Sequence, residues 1–265
     1  MAPDPVLANP NSVPLEALCC YRALMRDVAV SEDAEPNLGG RLLYVGAVDA
    51  QSRAMVIAGN VAGCATLAVA EDPMVQRAAT RDGVVDFVVT SLDEALRIFK
   101  NEIRKRTPVA VCVGAAPGDV EREMVERGVQ PDLVFAGVAG EDRKMLSFGS
   151  GAREIRCSDD DPSLAFVAWQ VADAPMRWMG RLDAIALDRL TSDGSVRRWI
   201  RLSPRYSGRD AQGQRALYCD SESAKQIIER FAQAVRNGEI EAEVSARLVV
   251  GGATQAFRMS PAPSD

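Results

Sequence analysis

The sequence predicts an α/β fold in which a doubly wound parallel sheet is followed by a smaller, irregular α+β part. Between residues 42 and about 140, short apolar runs alternate with segments of helical periodicity. The apolar runs are continuous, which is typical of strands that are covered on both faces. After residue 146 this regular alternation ends. These observations favour parallel strands joined by crossover helices, with a less regular C-terminal part.

The predicted elements begin with a helix over residues 15–28, because apolar residues recur there at helical spacing directly after Pro14. Five continuous apolar runs then predict strands over residues 42–48, 65–70, 84–89, 109–113 and 133–136. Helices are predicted between these strands, over residues 54–63, 73–81, 92–106 and 117–127.

Local start and stop signals support these helices. Pro73 stands in the first turn of its helix, where a backbone amide has no helical partner to lose. Ser91 and Glu94 have the spacing of a capping box at the start of the next helix. Gly128 follows the last of the four helices and is suited to the left-handed conformation that ends many helices.

The C-terminal part has fewer regular patterns. An amphipathic helix is predicted over residues 221–237 and ends at Gly238, and residues 245–250 are a strand candidate. The three tryptophans in this part are interpreted as core residues rather than as a ligand cage. The predicted domains are an N-terminal tail and helix over residues 1–38, the doubly wound domain over 39–145, the C-terminal part over 146–258 and a tail over 259–265.

Composition excludes several classes of function. The chain has 265 residues, and 31 basic against 37 acidic side chains give a net charge of −6, which disfavours nucleic acid as a partner. No apolar run reaches the roughly 18 residues of a membrane span, so no membrane partner is expected. Histidine is absent, which excludes Ser-His-Asp and Cys-His catalysis and most zinc sites. No metal is expected, and the acidic run at residues 159–161 is interpreted as a solvated loop or helix cap.

The cysteines and the N-terminus indicate a compartment. None of the six cysteines has C-x-x-C spacing, and Cys64 and Cys112 lie within apolar runs, so buried reduced thiols are predicted. The first residues lack a basic start followed by an apolar stretch, which a secretory signal would need. We therefore expect a cytoplasmic protein.

The turn after the first predicted strand bears on dinucleotide binding. A pyrophosphate needs glycines there so that backbone amides can approach it, but residues 46–53 contain only Gly46. Asp49 places a negative charge near the phosphates, which Arg53 would offset in part. Glu71 or Asp72, after the second strand, would hold the ribose hydroxyls. A sheet with a purely structural role is the favoured alternative.

The most specific sequence block is SLDEALRIFKNEIRKRTPVAVCVGAAPGDVEREMVERGVQPDLV over residues 91–134, and a second is the strand–turn–helix–strand segment over residues 38–73. Both blocks resemble the urocanase family, whose members are NAD-dependent urocanate hydratases. Weaker blocks follow in the family's order: PMRW at 175–178, Gln212-Gly213 in register with Cys219, and RFAQAVRNGEIEAEV at 230–244.

The resemblance implies a Rossmann-like fold and assigns candidate site residues. In urocanase the nicotinamide ring of NAD adds to the imidazole of the substrate and polarises it for attack by water. By this resemblance Arg177 would hold the substrate carboxylate and Cys219 would lie at the reacting centre. The corresponding cofactor candidates are Gly46, Arg53, Glu71 and Gly114, at the ends of predicted strands or in the turn that follows.

Departures from the family pattern qualify the predicted activity. The glycine turn of the family is replaced by GAVDAQS, and its histidine-bearing C-terminal segments have no counterpart in this sequence. We therefore expect NAD to bind weakly or not at all, and urocanate not to be hydrated. If a diverged site survives, Arg177 and Cys219 should share a cleft near residues 46–53, with Cys219 partly exposed and an acidic group within reach of Arg177.

Three functions remain open. The first is a diverged lyase or hydratase that acts on a small planar carboxylate. The second is a non-catalytic protein that binds a small molecule, and the third is a subunit that completes its site in a homo-oligomer. The corresponding simpler interpretations are that Arg177 is a solvated arginine and that Cys219 is a buried thiol.

Overall fold

The computed structural model describes residues 13–26, 28, 35–138, 148, 151–157, 161, 163–190, 193–206 and 213–261. The chain divides into two compact units, and each is described by itself. Residues 16–159 form the first, which we call the parallel-sheet unit. Residues 160–265 together with residues 1–15 form the second, which we call the antiparallel-sheet unit.

In the parallel-sheet unit, helices and strands alternate along the chain. Helix α1 spans Val13–Met25 and precedes the sheet. The strands are β1 (Leu42–Ala47), β2 (Ala65–Val69), β3 (Phe87–Val89), β4 (Val109–Val113), β5 (Leu133–Val138) and β6 (Arg153–Cys157). The helices between them are α2 (Ala50–Ala62), α3 (Pro73–Arg81), α4 (Leu92–Lys105) and α5 (Pro117–Glu126).

The six strands form one sheet in the order β3-β4-β2-β1-β5-β6, and every neighbouring pair is parallel. The predicted doubly wound parallel sheet is therefore confirmed. The sheet continues beyond residue 145 into strand β6, which the sequence analysis did not predict. The polar sequence REIRC of this strand gives none of the apolar signal that marks the other strands.

Strands β1, β2 and β4 are covered on both faces, which explains their continuous apolar sequences. On one face Tyr44 and Leu67 pack in a core with Phe99 of α4 and Met124 of α5. On the opposite face α2 lies directly against β1 and β2. A Cβ atom added at Gly59 of α2 would lie 2.8 Å from Thr66 Oγ1 and 2.9 Å from Leu43 Cδ2, so only glycine permits this close approach.

Strand β1 lies between β2 and β5, where the order of the strands changes direction. Its pairing with β2 shifts register between Tyr44 and Gly46, so Val45 forms a bulge. Gly46 has a φ of 71°, which other residues rarely adopt. The carboxyl end of β1 is therefore held by a bulge and a left-handed glycine, just before the turn into α2.

The antiparallel-sheet unit contains a four-stranded sheet in the order β10-β9-β7-β8. Helices α6 and α8 pack on it, and Trp169 contacts Phe231 at a ring distance of 5.3 Å in the core between them. The elements are β7 (Ala165–Val171), α6 (Pro175–Arg189), α7 (Gly194–Leu202), a 3₁₀ turn (Ser203–Arg205), β8 (Gln214–Cys219), α8 (Ser221–Arg236), β9 (Val244–Val250) and β10 (Ala253–Met259).

The prediction of a smaller α+β part is confirmed in this unit, although the part is more regular than expected. Strands β7, β8 and β10 were not identified from the sequence, whereas the predicted helix α8 and strand β9 are present. The three tryptophans are buried, as predicted for core residues. All six cysteines are buried thiols that are not joined in disulfides, as was also predicted.

The helices show no membrane-spanning character. Within the described ranges, none combines the length and apolar composition that crossing a bilayer requires.

The contact between α2 and the sheet generates a prediction with a matched control. Gly59→Ala should destabilise the protein by about 1–3 kcal/mol, because the added methyl group meets Thr66 and Leu43 in a close-packed core. Gly118→Ala, in α5, should stabilise it by about 0.5–1 kcal/mol, because nothing lies within 4 Å of the added Cβ atom. Urea unfolding measures both, and the same sign for the two variants would contradict the packing argument.

Candidate functional site

The turn between β1 and α2 is closed by a capping box. The carboxylate of Asp49 accepts a hydrogen bond of 2.8 Å from the backbone amide of Ser52. In return, the hydroxyl of Ser52 accepts a bond of 2.7 Å from the amide of Asp49 and donates one of 2.6 Å to the carbonyl of Ala47. Ser52 is fully buried, so these bonds fix how the helix starts.

This capping box uses the groups that would bind a pyrophosphate. An anion at a helix N-terminus is held by the free amides of the first turn and by the helix dipole. Here the amide of Ser52 is bonded to Asp49, and the amide of Val48 is bonded to the carbonyl of Val69 at 2.9 Å. The carboxylate of Asp49 itself takes the place of an anion. The residues of this turn therefore do not fit NAD in the way a glycine-rich turn would.

The cofactor candidates Gly46 and Arg53 have structural roles in this turn. Gly46 is buried and supplies the positive φ that follows the bulge of β1. Arg53 donates a hydrogen bond of 2.7 Å to the carboxylate of Asp82, at the end of α3. This bond is the main cause that lowers the pKa of Asp82. Nothing tests the cofactor role of either residue, which stays a prediction.

The candidates Glu71 and Gly114 lie at the same edge of the sheet as Gly46, because they follow the carboxyl ends of neighbouring parallel strands. Glu71 is exposed, two residues beyond β2. Gly114 is also exposed and donates to the carbonyl of Val89 at 2.8 Å. A Cβ atom there would lie 3.1 Å from Nε2 of Gln76. This edge is where ligands bind in open parallel sheets, and binding by these residues remains a prediction.

Cys219 is the last residue of β8, and its placement differs from expectation. Its side chain is 3% exposed and belongs to the core under α6 and α8, so the expectation of partial exposure is wrong. Burial, with smaller contributions from the charges of Asp220 and Asp193, raises the pKa of the Cys219 thiol to about 12. A thiol with such a pKa is protonated at neutral pH and is a poor nucleophile.

Arg177 lies in the first turn of α6 and is exposed. Its guanidinium is 4.3 Å from the ring centroid of Trp178 and donates a hydrogen bond of 3.2 Å to Glu241. The expectation of an acidic side chain within reach of Arg177 is confirmed. The expected reason for this contact, neutralisation of a buried charge, does not apply. Both side chains are 62% exposed, so the ion pair lies at the surface.

The structure does not bring Arg177 and Cys219 together. Gly213 packs against Pro175, the first residue of α6; a Cβ atom on Gly213 would lie 2.9 Å from the carbonyl of Val171 and 3.4 Å from Cβ of Pro175. Cys219 is six residues further along β8, about 20 Å at about 3.3 Å per residue, and pairs with Ala165 at the other end of β7. Gln212, and residues 159 and 160 of the acidic run, lie outside the described residues.

One buried ion pair escaped the sequence analysis. Arg215 Nε donates to Asp183 Oδ2 at 3.2 Å, and the two side chains are 10% and 15% exposed. The other carboxylate oxygen, Oδ1, is buried without a hydrogen-bond partner among the described residues. The available sequence signal was the position of Arg215, which alternates with Leu217 and Cys219 and so points to the core face of β8.

Metal ligands are not grouped in the described part of the chain. There, no cluster of three or more cysteine and carboxylate side chains could hold an ion. Asp161, the described member of the acidic run, accepts a hydrogen bond of 3.2 Å from the amide of Ser163, as a capping side chain does.

The buried pair generates a prediction on pH. Burial raises the pKa of Asp183 to about 6, and the charge of Arg215 opposes this shift only in part. The folded protein therefore holds a proton on Asp183 that the unfolded chain has released. The corresponding stability is full below about pH 4 and is lost as the pH rises to about 6. Because the pKa differs by about two units between the folded and the unfolded state, the free energy of unfolding falls by about 3 kcal/mol over this range.

Asp183→Asn should remove this dependence. Plotted against pH, the Tm difference between wild type and Asp183→Asn should shift in favour of the variant between about pH 4 and 6. Asp188→Asn is the control, since Asp188 lies on the same helix with an exposed side chain. A constant difference between wild type and Asp183→Asn over this range would contradict the assignment.

Comparison with known families agrees with this geometry. Residues 24–139 match the family model of the urocanase Rossmann-like domain, a domain family associated with NAD. The match runs from the end of α1 to the end of β5 and includes the β1–α2 turn and the sheet edge described above. Residues 24–139 are therefore similar to the urocanase Rossmann-like domain.

Proposed function

We propose that this urocanase-like protein is a non-catalytic binding protein for a small carboxylate and does not bind NAD at its β1–α2 turn. The capping box between Asp49 and Ser52 carries the proposal. It engages the backbone amides of Asp49 and Ser52, which a pyrophosphate could otherwise use, and sets a carboxylate in the position of the anion. To bind there, NAD would have to break this box and approach a negative charge.

The antiparallel-sheet unit supports the same proposal. Hydration would need an accessible group at the reacting centre, but Cys219 is buried and its thiol is protonated at neutral pH. Arg177 is accessible, and its planar guanidinium is suited to a carboxylate. Glu241 is held only by an exposed ion pair, which contributes little, so a carboxylate ligand can replace it.

A diverged hydro-lyase acting on a small planar carboxylate is the second candidate. The exposed guanidinium of Arg177 favours it, because a planar guanidinium can bind the carboxylate of such a ligand through two parallel hydrogen bonds. Both candidates predict carboxylate binding at Arg177. They differ in turnover, which the non-catalytic proposal excludes.

We also propose that the protein is a cytoplasmic homo-oligomer and binds neither nucleic acid nor membranes. The six buried cysteines, none of which is in a disulfide, and the net charge of −6 support this proposal. Edge strand β3 exposes 49% of Phe87 and 39% of Val88, an apolar edge that a second copy can cover. Light scattering of the purified protein measures the mass, and a monomer at micromolar concentration would contradict the oligomer.

The capping box predicts weak NAD binding. Calorimetric titration should give a Kd no tighter than about 1 mM, which corresponds to about −4 kcal/mol. Asp49→Asn is the matched variant, because it removes the charge and retains an oxygen that can cap the helix. Micromolar binding by the wild type, or NAD that co-purifies with it, would show that the turn still accepts the cofactor.

The buried thiol predicts that urocanate is not hydrated. When protein and NAD are added, the absorbance of urocanate should not fall faster than it does in a protein-free control. Turnover that is retained in Arg181→Ala but lost in Arg177→Ala would instead establish the hydro-lyase. Arg181 is the control because both arginines are exposed and lie in the first two turns of α6. The binding protein would be supported if a carboxylate binds without turnover and if this binding is lost in Arg177→Ala but not in Arg181→Ala.

A further inference from the structure

Two cysteines far apart in the sequence meet inside the parallel-sheet unit. Cys20 lies on α1 and Cys157 is the last residue of β6, 137 positions later. Their Sγ atoms are 2.8 Å apart. Even carbon atoms, which are smaller than sulfur, rest about 3.5–4.0 Å apart in non-bonded contact. The two sulfur atoms are therefore closer than an ordinary non-bonded contact.

The elements that carry these thiols are also joined by a second contact. Arg153, at the start of β6, donates a hydrogen bond of 2.8 Å to the carbonyl of Leu24 in the last turn of α1. The helix is thus attached to the edge strand at two levels, and the thiols meet at the end of β6. Cys20 and Cys157 are 2% and 4% exposed, so a large reagent cannot reach them.

We propose that Cys20 and Cys157 form a disulfide when the protein meets a small peroxide, and that this cross-link fastens α1 to β6. The proposal goes beyond the proposed function and does not depend on it. Hydrogen peroxide is the oxidant, since its size suits a buried pair. The geometry supplies the selectivity, because a second sulfur is already in contact with whichever sulfur is oxidised first.

The chemistry balances in two steps. One thiol, after losing its proton, attacks an oxygen of hydrogen peroxide; the O–O bond breaks, a sulfenic acid forms and one water molecule leaves. The second sulfur then attacks the sulfenic sulfur, the S–S bond forms and the sulfenic oxygen leaves as a second water molecule. The two sulfurs together lose two electrons, and one peroxide molecule is reduced to two molecules of water.

The environment of the pair makes this oxidation slow. The hydrogen bond shared with Cys157 and then burial raise the pKa of the Cys20 thiol well above its ordinary value. Only the thiolate is strongly nucleophilic, so few molecules react at any moment at neutral pH. The pair is therefore a site of gradual cross-linking rather than a fast peroxide-consuming centre.

The experiment compares the protein before and after hydrogen peroxide. Thiol titration of the denatured protein should fall from six free thiols to four. After blocking and trypsin digestion, mass spectrometry should find residues 1–22 linked to residues 157–177, with the loss of two hydrogen atoms. The oxidised protein should also melt about 5–10 °C higher, because the link closes a long loop in the unfolded chain.

Three variants assign the link, since residues 1–22 contain both Cys19 and Cys20. Cys19→Ala is the matched control and should still lose two thiols, whereas Cys20→Ala and Cys157→Ala should lose none. Six remaining thiols in the oxidised wild type, or a link that forms in Cys20→Ala, would overturn the proposal. The wild-type measurement decides the matter even if a variant does not fold.

Discussion

Strand β1 is hydrogen-bonded on both sides, to β2 and to β5, and this pairing constrains the rest of the parallel-sheet unit. Pairing on both sides sets the position of the strand, and its carboxyl end therefore determines where α2 begins. The bulge at Val45 and the positive φ of Gly46 set the direction of the chain there. The capping box of Asp49 and Ser52 then completes a short, closed turn. The same geometry that starts α2 engages the amides of Asp49 and Ser52 and places a carboxylate at the start of the helix, where a pyrophosphate would need free amides.

Sequence patterns predicted the fold of this unit because parallel strands with both faces covered must be apolar throughout. The capping box of α4 was also predictable, since Ser91 accepts from the amide of Glu94 as its spacing indicated. Strand β6 gave no such signal, because alternating polar side chains at an edge face solvent. Of the antiparallel strands, β9 was predicted, whereas β8 and β10 were missed for a related reason. They need only one apolar face, so their alternation resembles that of many loop sequences.

The candidate site shows where sequence reasoning stops. Asp49 was interpreted as a charge that opposes phosphate, but its role as a helix cap depends on the partner oxygen of Ser52. Arg177 and Cys219 were joined by resemblance alone, and no local pattern could show that α6 begins near the start of β8 whereas Cys219 is the last residue of that strand. Asp183 and Arg215 were missed because a buried ion pair between a helix and a strand has no fixed sequence spacing.

Packing alone accounts for two of the residues in the antiparallel-sheet unit that carry the resemblance to urocanase. Gly213 is required where β8 starts, because any side chain would meet Val171 and Pro175. Cys219 fills the core at the other end of the strand, where a larger residue would overpack it. Both residues are thus retained by the fold itself. Their presence is explained by this sheet, whereas evidence for turnover must come from groups that a ligand can reach. Of the two residues assigned to catalysis, Arg177 alone is exposed. An exposed guanidinium is suited to a carboxylate, but it supplies neither the nucleophile nor the electrophile that hydration requires.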